Sequence, residues 1–341
     1  MLVKRAFYYL LGFTVICGSI MGFFVYYAAF KPNVKFKSEG FSLYIYPHDT
    51  KDSVFLKLDT MLLDPCSFIR LTKVLQIDYW KSGKYQLTRG MDNFAILKKL
   101  RNGNQTPINL TFNNAKDINE LCGILGKQLM HDSTVLVEKW TNDKFLKDQQ
   151  LRTENILCRF IPNTYQVYWN ISPEKLYRKL SDEHEAFWLK NDRKAKAAQK
   201  NLSIDDVYIL ASIVEKETNV EDEKALIAGV YLNRLRSGMK LQADPTVVFS
   251  LRRDNVYRVL LEHLKIDSPF NTYLYEGLPP GPIYMPSIST IDSVLESPTN
   301  GYLFFCAKPG YEGRHVFAET LRAHSINATA YRRWLDKEKI K

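Results

Sequence analysis

Hydrophobic and polar positions divide the chain into stretches of different character. Ala6 to Phe30 (AFYYLLGFTVICGSIMGFFVYYAAF) contains no charge, and as a helix it would extend about 37 Å, enough to cross a bilayer with some tilt. Bulky Tyr26 and Tyr27 stand where a signal-peptidase site needs small residues, and Ile16 is too large for a lipobox before Cys17. The stretch therefore predicts an uncleaved anchor. A basic linker follows over 31–40. Beyond it, SLYIYP at 42–47, part of KSGKYQLTRG at 81–90 and TPINLTF at 106–112 read as strands. Helical runs open at Asp49 or Thr50, after Pro65, and within Met91 to Gly103. Residues 113–151 are polar and helical, with an amphipathic stripe in DINELCGILGKQL, and the aromatic string CRFIPNTYQVYW occupies 158–169. Another helix opens at Ser172, with Glu174 in its first turn. From Ile209 the apolar spacing is again helical, and a second helix beginning near Glu223 is broken at Gly238. SPFNTYLYEGLPPGPI at 268–283 holds too much Gly and Pro for a long helix or central strand and predicts an ordered loop. A small sheet is expected around Tyr302 to Phe317. The pattern is α+β: an N-terminal transmembrane helix, a small α+β module, and a mostly helical domain with a small β-sheet.

Composition narrows the class. With 341 residues, 45% of them hydrophobic and 25% charged, the chain has room for two domains. Its net charge of +10 becomes +8 without Lys4 and Arg5, a balance suited to an anionic partner such as wall polymer or lipid headgroups. Nucleic acid is not expected, since no groove-reading motif occurs. Lys4 and Arg5 precede the apolar stretch and Lys31, Lys35 and Lys37 follow it, so flanking charge favours neither orientation. The basic run at 190–200 reads as a solvated helix face. Cys17, Cys66, Cys122, Cys158 and Cys306 have no C-x-x-C or His spacing, which argues against a metal site. Buried thiols are the expected state, with one or two disulfides the alternative. No cofactor is called for.

Candidate chemistry concentrates at Glu215 and Glu217. At about 100° per residue, with Val207 at zero, Leu210 falls near 300°, Ile213 near 240° and Val214 near 340°. Glu217, near 280°, lies inside this apolar stripe, whereas Glu215, near 80°, lies away from it. A carboxyl among aliphatic groups loses hydration of its charged form and its pKa rises, as a general acid near neutral pH requires. The competing reading makes both glutamates part of a solvated helix end. Asp244 has a structural alternative of its own, as the cap of a helix starting at Pro245.

ASIVEKET at 211–218, YLNRL at 231–235, LQADPTV at 241–247, NTYLYEGLPPGPI at 271–283, YLFFCAK at 302–308 and HVFAET at 315–320 stand in a telling order. In these blocks the chain resembles the endolytic murein (peptidoglycan) transglycosylase family, with a weaker likeness reaching back to about residue 40. The resemblance implies a cytoplasmic head (1–5), an anchor (6–30), a linker (31–40), a LysM-like module (41–113), a helical connecting region (114–200) and a catalytic domain (201–338). It also implies a plasma-membrane protein facing the cell wall or periplasm. Its partners would be peptidoglycan glycan strands, membrane lipid through the N-terminal helix, and peptidoglycan synthases.

The implied reaction cuts the β-1,4 bond between N-acetylmuramic acid and N-acetylglucosamine in nascent strands. One glutamate, here Glu217, protonates the departing oxygen and then takes the proton of the sugar's own C6 hydroxyl, leaving a 1,6-anhydro end. Gln242, Asp244, Asn271 and Tyr273 are the expected substrate-positioning set. A single acid suits this route, whereas ordinary hydrolysis would need a second carboxylate, Asp244 or Glu276. A non-catalytic peptidoglycan-binding scaffold is the other alternative. The chain departs from the family pattern at Asn163, at Met285 to Ser287 and at Ala323 to Ser325.

Overall fold

The uncharged N-terminal stretch forms one long helix, α1 (Leu2–Phe30). The computed structural model describes residues 2–35, 37, 40–253, 256, 259–310 and 312–339. Within α1, Phe7–Phe30 is long and apolar enough to cross a membrane, and none of its most apolar window is buried by the protein. Among the described residues only the last turn is engaged: Asn93 Nδ2 donates to the Ala28 carbonyl at 2.8 Å, and Phe30 packs on Phe94.

The chain divides into two compact units, one comprising residues up to Asn109 with Gln166–Ile171, the other Leu110–Tyr165 with Ser172 onward. In the first, β1 (Phe41–Ile45) leads through α2 (Lys51–Asp59) and α3 (Pro65–Val74) to β2 (Gly83–Leu87), and α4 (Asn93–Asn102) follows. β1 and β2 are antiparallel, with Leu43 opposite Tyr85. Period-two alternation turns Leu43, Ile45, Tyr85 and Leu87 inward, against Val54, Leu58, Phe68 and Leu100 of the helices. Thr50, Asp64 and Asp92 cap the three helices by accepting from the amide three residues on.

The stretch expected to be a linker is docked on this unit. Val34 is buried, bridges join Pro32 to Asp92 and Val34 to Leu62, and buried Asn33 donates to Asn93 Oδ1 at 2.7 Å. Polar residues read as a tether because sequence does not show which amides will find buried partners.

The chain leaves this unit within β3 (Ile108–Phe112), passes through α5 (Ile118–Gly126), α6 (Ser133–Thr141) and α7 (Asp143–Asp148), and returns within β4 (Asn163–Val167), which pairs with β3. Of the aromatics preceding and entering β4, Phe160 and Tyr165 are core residues stacked on Trp140 and Phe112.

The second unit continues with α8 (Pro173–Leu189), α9 (Arg193–Gln199), α10 (Ile204–Glu217), α11 (Glu221–Arg236), α12 (Asp244–Leu251), α13 (Ile288–Leu295), the antiparallel pair β5 (Phe304–Ala307) and β6 (His315–Ala318), and α14 (Leu321–Glu338). The basic run at 190–200 is less solvated than expected. Arg193 is buried, makes a bidentate pair with Asp292 at 2.7 and 2.9 Å, and lies over the Phe187 ring. All five cysteines are free thiols.

α10 is the centre of this unit. A Ser203–Asp206 capping box starts it. From Val207 to Val214 every residue is buried, against Ile227, Ala228 and Tyr231 of α11 and Ile291 and Val294 of α13. The Gly/Pro loop crosses it: the Ile283 amide donates to Ser212 Oγ, itself buried. Gly281, in the same loop, sits so close to the chain that a Cβ there would lie 1.8 Å from the Glu154 carbonyl oxygen. Backbone stands on both sides and neither can yield cheaply. Gly281→Ala is therefore expected to destabilise the second unit by about 1–3 kcal/mol, several degrees in Tm by calorimetry, with α10 otherwise unchanged.

Candidate active site

The C-terminal turn of α10 presents its two carboxylates to different surroundings. Glu215 accepts from the Ser287 amide at 3.2 Å, from Ser287 Oγ at 2.9 Å and from the Thr290 hydroxyl, with Lys224 Nζ 3.6 Å away. It thereby fastens the start of α13, where Ser287 is the N-cap. Glu217, on the other side, accepts from Tyr231 Oη at 2.5 Å. Burial pushes the Glu217 carboxyl up to about 7, the negative charge of Asp244 adds to the rise, and the Tyr231 hydrogen bond opposes it. Tyr231 is 2% exposed, and burial with the adjacent Glu217 raises its phenol well above the usual range, so it remains a donor. Glu217 nevertheless keeps part of its surface accessible.

Three residues of one α11 turn hold the surroundings. Tyr231 reaches Glu217. Asn233 Nδ2 donates to the Asn300 and Tyr302 carbonyls, each at 2.9 Å. Arg234 donates to the Lys240 and Leu303 carbonyls and to Gln242 Oε1 at 2.5 Å. Gln242 is exposed and sits at φ 54, a left-handed backbone that costs a non-glycine residue energy and recurs at functional sites. Its neighbour Ala243 donates its amide to Thr272 Oγ1, which joins Thr246 Oγ1 at 2.9 Å.

Asp244 is the first residue of α12 and makes no capping bond; the N-cap position is Ala243. Its exposed carboxylate instead accepts from Tyr273 Oη at 2.6 Å. Asn271 stands apart: fully buried, it donates to the Leu264 and Ile266 carbonyls and accepts from the Tyr273 amide. It shapes the loop that presents Tyr273 and turns no group toward a ligand. The site residues thus form three hydrogen-bonded pairs, Glu217 with Tyr231, Gln242 with Arg234 and Asp244 with Tyr273, and the Asp244 charge acts on Glu217, while Glu276 is exposed and has no hydrogen bond to them among the described residues.

Tyr231 and Arg234 lie within YLNRL, yet sequence reasoning gave them no place in the site. The available signal was a phenol amid Ile227, Ala228, Val230 and Leu232, since a buried tyrosine hydroxyl needs a partner. A second buried pair was also unforeseen: Glu223 accepts from the His315 amide and meets its Nδ1, each at 2.9 Å, and the Phe305 ring lies between His315 and Tyr231. No group of His, Cys, Asp and Glu able to hold a metal occurs among the described residues. The arrangement presents one acid with a proton held near neutrality, an acceptor–phenol pair beside it, and an exposed amide.

Residues 43–330 match the YceG-like family. A Bacillus subtilis protein named endolytic murein transglycosylase is 25% identical over 286 residues, covering 79% of this chain and 78% of the relative. A Streptococcus pneumoniae protein of the same name is 27% identical over 284 residues, covering 74% of this chain, which spans half of that relative. In fold, a solved YceG-like protein from Listeria monocytogenes aligns with a TM-score of 0.54 and 23% identity, over 85% of this chain and 99% of that one. With the family match running from β1 to within α14, the chain belongs to the YceG-like family.

Proposed function

We propose that the protein is a membrane-anchored lytic transglycosylase that cuts peptidoglycan glycan strands internally and leaves 1,6-anhydro ends. The observation that carries this reading is Glu217, a carboxyl whose burial lifts its pKa to about 7 and which Tyr231 holds in one orientation. The names of the relatives support the substrate class.

In this mechanism protonated Glu217 gives its proton to the glycosidic oxygen as the bond to the anomeric carbon breaks. General acid catalysis of this kind contributes about 10²–10⁴-fold. The carboxylate so formed takes the proton of the C6 hydroxyl, whose oxygen attacks the anomeric carbon, so no water is consumed and Glu217 is protonated again. The attack is intramolecular, where effective molarities reach about 10⁵–10⁸ M, so positioning does much of the work. Gln242, Asp244 and Tyr273 position the sugar, with Asn271 holding the loop that carries Tyr273. The Asp244 charge also favours the positive charge that develops on the sugar ring.

Residues 201–338 form the catalytic domain and 114–200 a helical connection. Residues 41–113 form a LysM-like module, supported by the β1–α2–α3–β2 order; it binds glycan or spaces the catalytic domain from the membrane. α1 anchors the chain in the plasma membrane, with both units on the wall side, where the synthases that extend the strands are its natural partners.

Digestion of purified sacculi followed by mass analysis tests the reaction: anhydro-ended fragments are expected, reducing ends would indicate a hydrolase, and intact wall a scaffold. Glu217→Gln is expected to lower release by at least about 10²-fold, whereas Glu215→Gln should lower Tm and leave the pH profile in place. The alkaline limb of that profile should fall near pH 7, as Glu217 loses its proton. Tyr231→Phe removes a bond that favours the charged carboxyl and should move the limb up by about one unit; Asp244→Asn removes a like charge and should move it down. Stability gives an independent check. With its folded pKa raised, Glu217 contributes stability that is full below about 4.5 and lost as pH rises through about 7. Glu217→Gln should therefore stabilise the fold at pH 8 by on the order of 1–3 kcal/mol, a gain absent at pH 4.5.

A further inference from the structure

Beside the acid lies a cleft of about 690 Å³ that the mechanism above does not use. It falls within the roughly 300–1,000 Å³ of ordinary ligand pockets. Two of its residues adjoin the site: Lys216 precedes Glu217 on α10, and Pro245 follows Asp244 on α12. The cleft therefore reaches the neighbour of Glu217 on α10 and the neighbour of Asp244 on α12.

Its walls carry mixed chemistry. Lys116, Lys216, Arg252 and Arg253 supply four cations, and Asp117 and Glu154 two acids. Asp117 is occupied in capping α5, where it accepts from the Glu120 amide at 2.8 Å. Among the described residues, none of Lys216, Arg252 and Arg253 forms an ion pair; Lys216 lies over the Tyr284 ring at 4.4 Å, and Arg252 ends α12 in a left-handed conformation. The apolar part comes from Phe249 and Phe270, in contact at 4.8 Å, with Pro269 and Ile283. Lys216, Arg252 and Arg253 beside apolar surface, with the Glu154 carboxylate, which has no hydrogen bond or ion pair among the described residues, match a short peptide that bears several carboxylates and one amino group. A compact polyanion such as pyrophosphate would leave the apolar wall unused and would face Glu154.

We propose that this cleft is the subsite for the peptide carried by the glycan strand, with Lys216, Arg252 and Arg253 taking its carboxylates and Glu154 its amino group. The inference rests on the transglycosylase reading, because that reading puts the peptide-bearing sugar against Glu217. The peptide leaves the same ring whose anomeric carbon is attacked, so its first residues must lie near the acid, and Lys216, the neighbour of Glu217, lines the cleft. Recognition there reports that the ring is seated, and the charge-assisted bonds orient it for the intramolecular attack.

The test compares kcat/KM of the full-length protein in detergent on peptide-bearing strands and on strands stripped by an amidase. The wild type should prefer peptide-bearing strands, and the Arg252→Gln/Arg253→Gln double variant should lower that preference about tenfold, with Lys216→Gln acting in the same direction. Free tetrapeptide should inhibit the wild type more than the double variant. Glu154→Gln should reduce discrimination between strands with free and N-acetylated amino groups, while circular dichroism verifies its fold. A wild type that cuts both strands equally well, or a preference untouched by the double variant, overturns the subsite alone. Inhibition by inorganic pyrophosphate and not by tetrapeptide overturns it by assigning the cations to a phosphate. A wild type that cuts neither strand overturns the transglycosylase reading and the subsite together.

Discussion

The second unit depends on one balance of forces: a carboxyl is deprived of enough water to keep its proton, yet given one hydrogen bond that holds it in place. Burial favours the neutral form of Glu217, and the Tyr231 hydroxyl favours the charged one. Burial is the larger effect, and the carboxyl settles near neutrality. That outcome is imposed by the packing of α10, buried from Val207 to Val214 against α11 and α13. A helix with one solvated face would leave its last turn wet, and a carboxylate there would titrate near its ordinary value.

Much of the remaining polar architecture keeps that helix end and its surroundings in register. Arg234 satisfies two backbone carbonyls and the amide oxygen of Gln242, fixing a left-handed residue that would otherwise relax. Asn271 and Thr272 do the same for the Gly/Pro loop and for the start of α12. Glu215 ties α13 to α10 from the opposite side. Two carboxylates two residues apart therefore have separate roles: one is saturated by hydroxyls and an ammonium group and acts structurally, the other has a single phenol partner and keeps its proton.

Helical periodicity carried a good part of this. The rotation that put Glu217 within the stripe of Leu210, Ile213 and Val214 needs only local spacing, and capping residues such as Thr50, Asp92 and Ser172 announce their helices for the same reason. Relations set by tertiary contact were not legible. Tyr231 reads as one more apolar residue of α11 until α10 is laid against it. Arg193 reads as one charge in a solvated run until Asp292, distant in sequence, supplies a carboxylate. Asn33 reads as linker until Asn93 meets it. Asp244 carries every local sign of a helix cap, and only the position of the loop at Tyr273 gives its carboxylate another partner. Asn271 went the other way: a polar residue in a loop suggests a ligand contact, but loops rich in Gly and Pro have backbone carbonyls to satisfy, and its side chain is consumed in doing so.

Desolvation and access make opposing demands on such an acid. A carboxyl sealed in a cavity would keep its proton most firmly, but no glycan strand could reach it. One at the floor of a wide groove would be reachable and ionised. Glu217 is placed between these limits: its carboxyl is crowded enough to be lifted to about 7, while part of the residue remains accessible. The Asp244 charge eases the conflict, because it raises the carboxyl's pKa from an exposed position and so removes no access. An exposed like charge can thus stand in for part of the burial that an accessible carboxyl forgoes. An exposed carboxylate can in this way tune a buried one with which it shares no hydrogen bond.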